Sequence, residues 1–141
     1  MTPKEYLNKL IKIDDEINSL VEEKEKLGAQ VLGAVRYDSE LSSLTNKVSR
    51  PTEEYFLKVE QYSQDINQKI DELVQLKIKV SAEIARVEDR NCRNVLRHRY
   101  LLNKSWEKIA SELCYEVSWI YRMHGEALEE FEKVNPDVFK Q

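Results

Sequence analysis

Gly28, Gly33, Gly125, Pro3, Pro51 and Pro136 are the only glycines and prolines in the chain. Short strands need frequent turns, and turns draw on glycine and proline, so six such residues in 141 cannot delimit a β or α/β fold. From Thr52 to Val87 neither residue occurs at all, while apolar side chains recur every three or four positions. That combination predicts an all-α protein built on long helices. The length suits one domain or two small ones.

Two helical stretches carry the rhythm. In the first, Thr2-Pro3 supplies a cap candidate followed by the proline that suits an opening helical turn. Leu10, Ile13, Ile17, Leu20, Lys24, Leu27 and Val31 then trace a heptad seam with one lysine in it. Gly28 and Gly33 predict where this helix weakens or ends. Residues 33–52 lose the heptad, are rich in Ser and Thr, and read as a flexible connector. Arg36, Lys47 and Arg50 on it are scattered cations within reach of phosphate.

The second helix is expected over 53–87, roughly 50 Å long at 1.5 Å per residue. Ile66, Ile70, Leu73, Val80, Ile84 and Val87 form its seam, with Lys77 at the one seam position that is not apolar. Val74, Leu76 and Ile78 widen the apolar surface towards a further neighbour. Two such helices most simply fold as a long antiparallel, coiled-coil-like hairpin over 1–87. A bare hairpin buries little, which favours a second copy, and a homodimer is expected.

Charge is distributed unevenly. The net charge is −4, yet Arg90, Arg93, Arg97, Arg99 and Lys104 fall in residues 90–106, which hold no acid. Salt screens charges beyond roughly 8–10 Å, so local sign outweighs the total and DNA is not excluded as a partner. No apolar run approaches the roughly 20 residues of a membrane span, so no membrane partner is expected and the protein is read as cytoplasmic. Cys92 and Cys114 lack CxxC spacing, and with His98 and His124 they do not make a recognisable zinc pattern. No phosphate loop, nucleophile–base pair or carboxylate–histidine cluster is present, so neither an enzyme nor a cofactor is expected.

Residues 88–134 read as three short helices, with 135–141 as a tail. Asp89 caps a helix to about Leu102, with Val95, Leu96, Tyr100 and Leu101 inward. Ser105 caps the next, in which Trp106, Ile109, Ala110 and Leu113 form the buried stripe. Cys114-Tyr115-Glu116 makes a tight turn, and Ile120 and Met123 face inward from the third helix. Counted from Trp106, the small residue in fifth place and the apolar ones in fourth, eighth, fifteenth and eighteenth follow the helix-turn-helix spacing. Its ninth place, commonly glycine, is Cys114.

In that register Glu116, Val117, Ser118, Tyr121, Arg122 and Gly125 point outward. Arg122 suits a guanine edge or a phosphate, Ser118 and Tyr121 bases or backbone, and Val117 a thymine methyl. Lys104, Ser105 and Lys108 lie where the preceding helix meets phosphate, and Arg93, Arg97 and Arg99 extend that grip. Trp106 and Trp119 read as packing residues, and His124 as helping to end the helix before Gly125. Leu128 and Phe131, in the acidic helical continuation, can pack the third helix onto the hairpin.

The run RYLLNKSWEKIASELCYEVSWIYRMHGEALEEF resembles the C-terminal helix-turn-helix of sigma factors. It is more similar still to phage and prophage regulators of the ArpU and RinA type. The resemblance covers about 88–131 and is only architectural over 1–87. It implies transcriptional control, often of late genes, through promoter DNA. It points to Ser105, Lys108, Ser118, Tyr121 and Arg122 as the DNA-facing set. The Tyr-Ser usual before the last helix is Tyr115-Glu116 here, which removes a serine cap. The alternative expectation is a protein-interaction module that docks on RNA polymerase or another phage protein.

Overall fold

The computed structural model describes residues 1–45 and 50–140, except for the side chains of 31–52. These residues form helices and no strand, which makes the fold all-α. The helices are α1 (Pro3–Thr45), α2 (Arg50–Ile84), α3 (Arg90–Leu96), α4 (Trp106–Leu113), α5 (Val117–Val134) and α6 (Pro136–Phe139). A π-helical turn, Arg97–Leu101, continues α3.

The start of α1 is a reciprocal capping box. The Thr2 hydroxyl accepts from the Glu5 backbone N–H at 3.1 Å, and the Glu5 carboxylate accepts from the Thr2 N–H at 3.1 Å. The helix does not end at its glycines, contrary to expectation, but runs through Gly28 and Gly33 to Thr45. Glycine keeps both backbone hydrogen-bonding groups, so it weakens a helix by roughly 1 kcal/mol without interrupting it. Most of the expected connector is therefore helical: α1 takes it to Thr45 and α2 resumes at Arg50. Residues 46–49 lie outside the described residues, as do the side chains of Arg36, Lys47 and Arg50.

The chain forms two compact units. One, Asp15–Asp71, consists of the distal parts of α1 and α2. Within it Lys69 of α2 meets Glu16 of α1 at 3.3 Å. Ile17 and Ile66 are buried there, whereas Phe56 and Leu57 are exposed.

The other unit joins Met1–Asp14 to Glu72–Gln141. The proximal ends of the long helices thus belong to the same compact body as residues 88–140. Its core takes Leu7 and Leu10 from α1, Val80 and Ile84 from α2, and Val87, Val95, Leu96, Ile109, Ile120 and Phe131 beyond them. Buried polar groups tie the elements together. The Tyr6 hydroxyl donates to both carboxylate oxygens of Glu83, at 2.5 and 3.0 Å. The Asn135 amide donates to the carbonyls of Glu83 and Phe131, at 3.2 and 2.9 Å, and its oxygen accepts from Arg86 at 2.8 Å. Asn103 donates to Asp14.

Residues past Val134 are not a free tail. Pro136 opens α6, and Phe139 packs edge-on against Tyr6 and Phe131, with ring centroids 5.7 and 5.9 Å away. Tyr6 in turn stacks on Phe131 at 6.1 Å. This three-ring cluster docks the end of α5 on the start of α1, the role expected of Phe131.

Candidate functional site

Two of the three helices after the bend, α3 and α4, begin at a side-chain cap. Asp89 accepts from the Cys92 N–H at 3.1 Å and caps α3, and the Ser105 hydroxyl accepts from the Lys108 N–H at 3.2 Å and caps α4. Glu116 precedes α5 in extended conformation and makes no side-chain cap, as the missing serine foretells. Val95, Ile109, Ala110 and Ile120 form the cluster that joins α3, α4 and α5. Trp106, Leu113, Val117, Trp119 and Met123 pack on its edges.

Between α4 and α5 the chain turns in three residues. Cys114 is left-handed at φ 62°, ψ 43°. The Tyr115 N–H bonds back to the Ala110 carbonyl at 2.9 Å and the Cys114 N–H to Ser111 at 3.3 Å. This is the Schellman pattern, which usually places glycine at the left-handed residue because Cβ crowds the carbonyl there. A cysteine holds the glycine conformation, so the turn keeps its geometry at some cost in strain.

α5 then runs unbroken through Gly125 to Val134. Contrary to the expectation that it helps end the helix before Gly125, His124 is buried in the interior. Its Nε2 lies 2.6 Å from the Tyr100 hydroxyl, and its ring meets Trp106 edge-on at 4.6 Å. Burial, reinforced by Lys4 and Arg99, holds the imidazole down at about 4, so it is neutral at physiological pH. Burial also pushes Tyr100 up to about 12, which keeps the phenol protonated and able to donate to a bare Nε2. Nothing in the residue pattern around His124 announces this pairing across 24 residues.

The expected DNA-facing residues fall into two groups. Ser118, Tyr121 and Arg122 are exposed on α5, and Ser105 and Lys108 on α4. Ser118, Tyr121 and Arg122 make no hydrogen bond or ion pair among the described residues, although Tyr121 lies against Trp106 at 5.2 Å between centroids. Val117 is half-buried on the core cluster, so its side chain is partly committed to packing.

The second group is engaged within the fold. Arg93 donates to the carbonyls of Val87 and Glu88, both at 2.7 Å, and thereby holds the bend after α2. Arg97 donates to the Ser81 hydroxyl at 3.0 Å. Arg99 donates to the Lys104 carbonyl at 3.0 Å, and its guanidinium carbon lies 4.5 Å from the centre of the Trp106 ring. Lys104 pairs with Glu112, and its Nζ lies 3.0 Å from His98 Nδ1. Lys104 therefore holds the Glu112 carboxyl below the usual range, while burial and Lys104 lower His98. The basic run seen in sequence is thus largely a bracket that fixes α3 and α4.

One feature escaped the reading of the sequence. Tyr115 and Trp119 stack at 3.8 Å and 21°, with Tyr115 exposed at the mouth of the turn. Their spacing of four residues was a usable signal, but helical periodicity begins only at Val117. Cys92 is buried 3.5 Å from the Met123 sulfur, and burial beside Asp89 pushes its thiol up to about 11, which makes it inert. Among the described residues no three His, Cys, Asp or Glu side chains group as a metal site, and no helix is long and apolar enough to cross a membrane.

No protein-family model, curated protein or solved structure matches the chain.

Proposed function

We propose that the protein is a sequence-specific DNA-binding transcription regulator, related to the phage and prophage regulators that its C-terminal third resembles. α4, the Cys114 turn and α5 act as a helix-turn-helix, and α5 enters the major groove. The observation that carries this reading is the division of α5 into two faces. Ile120, His124 and Ala127 are buried, while Ser118 and Arg122 on the opposite side, with Tyr121 beside them, present polar groups to solvent.

Arg122 reads a guanine edge or grips a phosphate, and Ser118 and Tyr121 complete the contact. Lys108 and the Ser105 end of α4 meet the backbone. Arg93, Arg97 and Arg99 lend the donors left over from their internal bonds, since a guanidinium carries five N–H groups. The long helices pair two copies, so that two reading heads act together on late-promoter DNA. RNA polymerase is a further partner in this reading.

Binding of the purified chain to random and to selected duplexes, measured at several salt concentrations, tests the proposal. Affinity that falls with added salt and prefers the selected sequence supports it. Affinity independent of salt, or equal for all duplexes, rejects it. Solution mass tests the homodimer.

The Tyr115–Trp119 stack, whose Tyr115 ring is exposed, favours one other reading, a module that docks on RNA polymerase or another phage protein. A stoichiometric protein partner in a pull-down, together with no duplex binding by the purified chain, selects it.

A further inference from the structure

We infer that Gly125 marks a point where the sugar–phosphate wall of a bound duplex approaches the backbone of α5. This rests on the DNA-binding reading above and adds a residue that sets how deeply the helix seats. Gly125 lies well inside an 18-residue helix, where glycine is less favourable than alanine. Two ordinary reasons for a buried or strained glycine do not apply. Its φ is not positive, so any L residue can adopt its backbone conformation. A Cβ built on it meets no atom within 4 Å, so the chain's own packing does not demand the missing side chain.

Such a site leaves room for close approach by something outside the chain. Its position gives the direction. Gly125 is exposed one helical turn beyond Tyr121 and Arg122, on the face that also carries Ser118. A helix with its side chains measures about 10–12 Å across, close to the roughly 12 Å width of the major groove, so one missing side chain decides whether the wall can close on the helix. Glu126 and Glu129 follow immediately and are exposed. They repel phosphate, and so place the edge of the footprint at this turn and make a deoxyribose contact, not an ionic one, the fit for Gly125.

Gly28 also sits in open space on α1, far along the sequence from Ser118, Tyr121 and Arg122, and serves as the matched control. The probes are a duplex selected from a random pool by the wild-type chain and a scrambled duplex of equal composition. Gly125→Ala is expected to raise the melting temperature by a few degrees and lower affinity for the selected duplex about tenfold or more. Gly28→Ala is expected to raise the melting temperature while leaving affinity unchanged. Wild-type binding matched by Gly125→Ala overturns this inference alone, as does an equal loss of affinity in Gly28→Ala. Failure of the wild-type chain to select any duplex overturns the DNA reading and this inference with it.

Discussion

The Tyr100 hydroxyl and His124 Nε2, 2.6 Å apart in the interior, join the π-helical turn after α3 to the middle of α5. Because burial holds the imidazole at about 4, the folded state resists a proton that the unfolded chain takes up near 6.5. The stabilisation is complete above about pH 6.5 and is lost progressively as the pH falls towards 4. Partial solvent access reduces the full linkage to about 2 kcal/mol. Urea unfolding midpoints at pH 7, 5.5 and 4.5 should show the decline, and His124→Gln should flatten it. An equal slope in that variant would assign the acid sensitivity to other groups.

At the turn, the left-handed Cys114 asks for the opposite of a conservative change. Cys114→Gly removes the Cβ clash and is expected to stabilise the protein by about 1 kcal/mol, whereas Cys114→Val should destabilise it. Thermal unfolding of the two variants in reducing buffer decides the matter; identical melting temperatures would mean that the turn stores no strain.

Tyr6 and Glu83 lie 77 residues apart in sequence and are both buried. Tyr6→Phe leaves a buried carboxylate without its donor, at an expected cost of about 2–3 kcal/mol. Adding Glu83→Gln should recover part of that loss, because the neutral amide is cheaper to bury alone. Denaturant unfolding of both single variants and the double variant measures the coupling; strictly additive losses would show that the two groups act independently.

On α5, Arg122→Ala should weaken binding to the selected duplex by about tenfold or more with circular dichroism unchanged, since its side chain holds nothing else in the fold. Arg97→Ala is expected to behave differently. It loses the bond to Ser81 and should lower stability before it affects affinity. Equal effects of the two substitutions on binding, without any loss of stability, would return the arginine run to the role of a simple phosphate grip.

Short-range chemistry made much of this molecule legible from its residues. The caps at Thr2, Asp89 and Ser105 each close over three positions, and the stripe Val95, Ile109, Ala110 and Ile120 follows from helical spacing. The scarcity of breakers likewise implied an all-α fold. Gly28 and Gly33 were misleading as end signals, because a residue's preference is a small energy that an otherwise continuous helix overrides.

The tertiary structure alone decided which charges and aromatics remain available. Asn103 reaches Asp14 across 89 residues and Asn135 reaches Glu83 across 52, and no local periodicity encodes either pairing. The same holds for His124: its sequence neighbours suggest a helix end, while burial against Tyr100 and Trp106 makes it core. The basic run 90–106 announces positive charge, but only the fold reveals how many of its donors already have internal partners. Sequence patterns record each residue's preferences over a few positions; the allocation of buried hydrogen bonds is settled between distant segments, where leaving a partner unpaired costs more than any local propensity can return.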